Sequence, residues 1–212
     1  MNDVVLFDYW RSSASYRVRI ALNLAEIEYQ AVSVDLLQGD HRSEQHLSRN
    51  PQGFVPVLDI DGHSLTQSLA ILTYLDSTRN LELLPVDPAD RAKVEAAAHA
   101  IAVDIHPVCN VSVARHAASL VPNDDGAMKA WMQRFIRPGL VAAEALLSDV
   151  PRTDFAFSTT PGLFDICLMP QLYNADRWGV DTSDLPCLTA IAHHCAAHPA
   201  FVAAHPDAVK PA

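Results

Sequence analysis

The stretch WRSSASYRVRIAL, residues 10–22, places Arg11 and the hydroxyl side chains of Ser12, Ser13 and Ser15 immediately ahead of an apolar helical pattern. The first N–H groups of a helix have no intrahelical acceptor, so a serine there caps the helix. The same donors, with the helix dipole, also hold an anion. A second such entrance is TQS, residues 66–68, ahead of SLAILTYLDST. Ser68 can cap that helix, bind a carboxylate, or do both. A third cluster, HHCAAHPAFVAAH, sets His194 and His198 four residues apart with Cys195 adjacent. No matching carboxylate or CxxC pair completes a zinc ligand set, and Pro199 ends the helix. It reads as a solvated helix end, and no metal is expected.

The elements that must carry these residues alternate in type over the first 80 positions. DVVLFDYW is a short apolar strand, and SASYRVRIALNLAEI has apolar residues at 18, 21, 22 and 25, the period of an amphipathic helix. YQAVSVDL alternates as a strand, and SEQHLSRN suits a short helix ending before Pro51. FVPVLDIDGHSLTQ is a hairpin turning at Asp61-Gly62, and SLAILTYLDST closes the unit as a helix. The order βαβαββα predicts a mixed sheet covered by helices. Pro56, between two valines at a strand entrance, reads on its own as a strand start. After the linker PVDP the strand signals almost vanish, and helices are expected over 88–118, 124–148, 162–178 and 185–197. The chain thus divides into an α/β domain, residues 1–82, and an all-α domain, residues 88–212.

Composition agrees with a globular, helix-rich chain: half of the 212 residues are apolar, 19% are charged, and glycine is scarce. A net charge of −10 argues against nucleic acid as the main partner. No apolar run approaches the roughly 18 residues of a membrane span, and the first ten residues lack the basic start of a secretory signal. The four cysteines (109, 167, 187 and 195) form no CxxC pair, which fits reduced thiols and a cytoplasmic location. Cys109 reads as a buried apolar filler.

RSSASYRVRIAL resembles the pattern RSSCSWRVRIAL of the zeta-class glutathione transferases, a group that includes maleylacetoacetate and maleylpyruvate isomerases. NPQGFVPVL, QSLAILTYLD, IHPVCN and LMPQLYNADRWGVD extend the resemblance along nearly the whole chain. It implies the glutathione transferase fold: a thioredoxin-like N-terminal domain, an all-α C-terminal domain, and a homodimer. It also implies a cis Val55–Pro56 bond whose preceding backbone holds the cysteinyl part of glutathione, with Gln52 in the same binding set. Gln67 and Ser68 would take the γ-glutamyl end. Asp104, His106 and Asn110 match positions that approach glutathione in the helical domain, and Pro107 should kink the helix carrying His106.

The implied reaction is a glutathione-dependent cis–trans isomerisation of a small β-diketo dicarboxylate in aromatic catabolism. The glutathione thiolate adds to the cis double bond, the new single bond rotates, and elimination releases the trans product. Ser12 matches the thiolate-activating serine, with Ser13 its neighbour and Ser15 a weaker candidate. Arg11 and Arg177 are the candidates for the substrate's carboxylate or enolate, whereas Arg17 and Arg19 are assigned to structural ion pairs. Two other activities fit parts of the pattern: a broad transferase acting on electrophiles such as α-haloacids, and a non-catalytic glutathione-binding protein. Ala14 stands where the zeta pattern has cysteine, which tilts the reading toward the maleylpyruvate type. Gly162 stands where a capping hydroxyl is expected ahead of Asp165, at a cost of a few tenths of a kcal/mol.

Overall fold

The computed structural model describes residues 4–121, 124–150 and 153–211. Its elements run β1 (Val5–Asp8), α1 (Ser13–Leu24), β2 (Gln30–Ser33), α2 (Glu44–Arg49), β3 (Val57–Ile60), β4 (His63–Thr66) and α3 (Ser68–Arg79). There follow α4 (Pro88–His99), a π-helical segment (Ala100–Ile105), the single turn α5 (His106–Val108), α6 (Val111–Ser119), α7 (Ala127–Leu146), α8 (Leu163–Arg177) and α9 (Pro186–Ala197). Two short helices complete the order, α10 (Pro199–Ala204) and α11 (Pro206–Val209).

The expected βαβαββα order is present, and its four strands lie in the order β2-β1-β3-β4. β1 is parallel to β2 and antiparallel to β3, which forms a hairpin with β4. Asp61 and Gly62 both have positive φ, 53° and 78°, as a two-residue hairpin turn requires. α1 and α3 pack together, and Val18, Leu22, Ile71 and Leu75 on these helices are fully buried. Leu6 and Leu58 supply the sheet's side of the same core.

Two compact units result: Met1–Glu82 with Ala197–Ala212, and Leu83–Ala196. Residues 197–212, expected with the helical domain, therefore fold with the sheet. α10 packs on α1, where Asn23 Nδ2 donates to the Ala200 carbonyl at 2.9 Å and Arg19 Nε to the Ala204 carbonyl at 3.0 Å. Proline starts both short helices, α10 and α11, where its missing N–H costs nothing. Pro199 thus ends one helix and opens another. His198, read as part of a solvated helix end, caps α10 by accepting from the Ala200 N–H at 3.2 Å.

In the second unit α4 packs on α8, and α7 on α6 and the π-helical segment. The stretch 88–118, expected as one helix, is broken at Cys109 and Asn110. Pro107 does not stop the helix before it. The backbone widens so that the His106 N–H reaches the Ile101 carbonyl, five residues back. Gly139 lies opposite: a Cβ there would overlap Cγ1 and Cδ1 of Ile105. Gly162 opens α8 without a hydroxyl, yet Asp165 Oδ2 accepts from the Gly162 N–H at 2.8 Å. That is one half of a capping box, made without the serine or threonine. Among the described residues, no helix is long and apolar enough to cross a membrane.

Candidate active site

Strand register brings the separated motifs of the first unit together. Phe7 pairs with Val57, and Val57 with Thr66. The exit of β1, the entry of β3 and the exit of β4 therefore share one end of the sheet. Residues 9–12, 55–56 and 67–68 follow or precede those ends directly.

Ser12 is the N-cap of α1, with extended backbone (φ −68°, ψ 122°), and its Oγ accepts from the Ser15 N–H at 3.2 Å. A hydroxyl that accepts at its oxygen keeps its proton for another acceptor. Ser13 is the first helical residue, so its N–H belongs to the set that a helix leaves unpaired. Both serines are half-buried, whereas Ser15 is fully buried. Arg11 Nη2 donates to Tyr9 Oη at 3.0 Å, and its guanidinium stacks 4.8 Å from the Trp10 ring centroid. Lys210 lies over the same ring at 5.4 Å, so two cations share one indole next to Ser12.

The Val55–Pro56 bond is cis, as the resemblance implied. The loop before it is tied down at one atom, because the Phe54 carbonyl is 2.9 Å from both His46 Nε2 and Asn50 Nδ2. Gly53, at φ 65°, is required there: a Cβ would sit 2.9 Å from Arg42 Nη1 and 3.0 Å from the His41 carbonyl. His46 and Asn50 were not singled out from the sequence. Their signal is burial on α2 and at its C-cap, at 2% exposure each, which a polar six-residue helix does not advertise.

Gln67 precedes α3 with φ 67°, an uncommon conformation for a side-chain-bearing residue and one that concentrates at ligand sites. α3 has no side-chain cap, and Gln67 Nε2 instead donates to Gln52 Oε1 at 2.7 Å. Ser68, buried, accepts at Oγ from Arg17 Nη1 at 3.2 Å. Arg17 thus bonds a candidate ligand residue. Arg19 forms the ion pair assigned to it: its Nη1 is 2.8 and 2.7 Å from the two Asp8 carboxylate oxygens, and Nη2 donates to the Trp10 carbonyl at 3.0 Å.

The remaining predicted residues belong to the second unit. Asp104 is exposed in the π-helical segment, and His106 is half-buried in the turn that follows. The Val108 carbonyl ending that turn accepts from Trp131 Nε1 at 2.8 Å. Asn110 caps α6, its Oδ1 accepting from the Ser112 N–H at 3.0 Å, which leaves its NH2 group to donate. Arg177, exposed in the last turn of α8, has its guanidinium over the Trp178 ring at 5.8 Å. Burial pushes the Cys109 thiol up to about 11, which suits a filler and not a nucleophile. Among the described residues, no group of His, Cys, Asp and Glu is placed to hold a metal ion.

The arrangement in the first unit can hold an anionic sulfur at one helix entrance and a carboxylate at another. Residues 2–77 match the family model "Glutathione S-transferase, N-terminal domain". A maleylacetoacetate isomerase of Rhizobium meliloti (strain 1021) is 53% identical over 211 residues, covering 99% of each chain. A holo maleylpyruvate isomerase, described as a bacterial zeta-class glutathione transferase, superimposes with a TM-score of 0.94 at 36% identity, covering 98% of this chain and 99% of that one. A maleylacetoacetate isomerase from Anaeromyxobacter dehalogenans 2CP-1, solved with glutathione in its active site, gives a TM-score of 0.87 at 39% identity over 99% and 97% of the two chains.

Proposed function

Because the chain belongs to the glutathione S-transferase superfamily, in the zeta-class branch of maleylacetoacetate and maleylpyruvate isomerases, we propose that the sheet end bearing Ser12, Pro56 and Ser68 is its glutathione site. The chain is a glutathione-dependent cis–trans isomerase of one of those two substrates. Identity of 53% to a maleylacetoacetate isomerase, against 36% to a maleylpyruvate isomerase, favours maleylacetoacetate and reverses the tilt drawn from Ala14.

The residues fit the tripeptide. Ala14 leaves the α1 entrance without a thiol, so the nucleophile has to arrive with the ligand. Glutathione, when bound, supplies the thiolate that adds reversibly to the cis double bond. The observation that carries the assignment of roles is the Ser12 cap: an oxygen already accepting from Ser15 has only its proton to offer, and an anionic sulfur takes it. Lowering a thiol pKa from near 8.5 by two units needs about 2.7 kcal/mol. One charge-assisted hydrogen bond with the helix dipole supplies that. The Ser13 N–H adds a second donor, Val55 offers its backbone to the cysteinyl part, and Gln52, Gln67 and Ser68 take the γ-glutamyl end.

Arg11 is held by Tyr9 and Trp10 with part of its donor fork still available for a substrate oxygen. It binds a carboxylate and stabilises charge developing on the adjacent carbonyl. Arg177 is the second cation in this reading, and Asp104, His106 and Asn110 add glutathione contacts. A homodimer in the cytoplasm, serving aromatic catabolism, completes it.

The test supplies purified protein and glutathione with maleylacetoacetate, maleylpyruvate or dichloroacetate, following enol absorbance or chloride release. Fast glutathione-dependent loss of the maleylacetoacetate enol is expected. A higher kcat/KM for maleylpyruvate would reverse the substrate choice, and preferential chloride release would make the protein a haloacid transferase. Turnover of none of them would leave only a binding protein.

A further inference from the structure

We propose that the Tyr9 hydroxyl is a further catalytic group, donating a hydrogen bond to the substrate carbonyl oxygen on which charge develops when the thiolate adds. The proposal rests on the isomerase reading above and sets a neutral donor beside Arg11.

Tyr9, Trp10, Arg11 and Ser12 form one turn, closed by the Ser12 N–H donating to the Tyr9 carbonyl at 2.8 Å. That turn carries Ser12, the donor proposed for sulfur, and Arg11, the cation proposed for the substrate. The phenol joins them, because Arg11 Nη2 donates to Tyr9 Oη at 3.0 Å. A guanidinium has no lone pair to offer, so the phenol oxygen accepts and its own proton points elsewhere. Among the described residues, no protein acceptor takes that proton. A hydroxyl polarised by a cationic donor is also the stronger donor in turn.

The ring behind the hydroxyl is fixed. Tyr9 is 7% exposed and belongs to a hydrophobic cluster with Phe7, Val55 and Val57. Val55 precedes the cis Pro56 bond and carries the backbone proposed to hold the cysteinyl part of glutathione. The phenol is thus packed with the loop that would hold the thiol and hydrogen-bonded to the turn that would activate it. A donor held in this way needs no reorganisation when charge appears.

The reaction calls for such a donor. A sulfur electron pair forms the C–S bond, while the π pair of the cis double bond moves to the next carbon and into the carbonyl. The result is an enolate oxygen three bonds from the sulfur-bearing carbon. After rotation the enolate pair re-forms the double bond, now trans, as the C–S bond breaks and the thiolate leaves. No proton is gained or lost, so the oxygen needs hydrogen-bond donors and not an acid. Because sulfur and oxygen belong to one short adduct, their donors have to lie close together, as they do on this turn.

The test compares the native protein with Tyr9→Phe, which keeps the ring in its cluster and removes only the hydroxyl. For the maleyl diketo acid that the native protein isomerises, kcat should fall at least about tenfold, with KM and glutathione affinity within about twofold. Inhibition then separates a donor to oxygen from a support for Arg11. Acetopyruvate presents the enol of a β-diketo acid, whereas succinate presents two carboxylates and no enol. Tyr9→Phe should weaken acetopyruvate by about tenfold and leave succinate within about twofold. Equal weakening of the two, or a raised KM at unchanged kcat, would overturn the proposal and make Tyr9 a support for Arg11. Loss of the thiolate absorbance of bound glutathione in Tyr9→Phe would overturn it in favour of a bond to sulfur. Unchanged kinetics would overturn it while leaving the glutathione site standing. A native protein that isomerises neither maleyl acid would remove the reading on which the proposal rests.

Discussion

Replacing Ser12 by alanine separates two uses of one oxygen atom. Loss of the cap should lower unfolding free energy by about 1 kcal/mol, measured by denaturant titration. Loss of the donor to sulfur should lower kcat at least about tenfold, shift the acid limb of the pH–rate profile to higher pH, and change glutathione affinity much less. Ser13→Ala should leave the profile in place; the reverse pattern would transfer the donor role to Ser13. Asp165 gives a prediction on stability. Burial pushes its carboxyl up to about 6, against three backbone N–H bonds that favour the ion, and Cys195 beside it is pushed up as well. The folded state then holds a proton that the unfolded state has released between about pH 4 and 6, so stability falls as pH rises through that window, by about 3 kcal/mol in all. Asp165→Asn should flatten the pH dependence of the unfolding free energy across it. What the sequence reveals about single residues follows from how local their partners are. Ser12 is legible because a cap is a relation within one turn. Arg17 is not, since its acceptor lies 51 residues away and only the fold sets it under Ser68. His46 and Asn50 fail for the same reason, because their shared acceptor is a loop carbonyl whose place depends on the fold.

Elements were legible where hydrophobic period and turn chemistry agree. The Asp61-Gly62 hairpin and α1 are the clearest cases, and together they fix which motifs share a sheet end. The single helix expected over 88–118 is where the pattern misleads. Helical period continues through residues 100–108, but Pro107 withholds its N–H and the backbone answers with π-helical bonding, which apolar spacing does not signal. That segment packs on α7 through a gap that only glycine leaves. Gly139→Ala would gain about 1 kcal/mol of helix propensity. The overlap with Ile105 should outweigh it, with a net loss of about 1–2 kcal/mol in thermal or denaturant unfolding. Ile105→Val, which removes Cδ1, should recover part of that loss in the double variant. A stabilised Gly139→Ala protein would show that the helices part freely.

At the scale of the molecule, the boundary between units is the feature least visible in sequence. Residues 197–212 follow the helical stretch without a composition change, yet they complete the sheet-bearing unit by covering α1. Removing them should cost that unit far more than a frayed end, because Arg19 loses its bond to Ala204 and the face of α1 under α10 meets water. A chain truncated after residue 196 should show a lower melting midpoint and faster proteolysis within residues 1–82 than the full chain. Light scattering tests the proposed homodimer, for which a mass near twice the chain's 23.1 kDa is expected. The buried bond between Arg19 and Ala204 joins positions 185 residues apart, and translation imposes an order on them. At about 5–20 residues per second, a ribosome delivers α1 roughly ten to forty seconds before the segment that seals it. The unit that appears first in the nascent chain is thus among the last to close. In the interval, α1 is a natural landing place for a chaperone that recognises uncovered apolar helices.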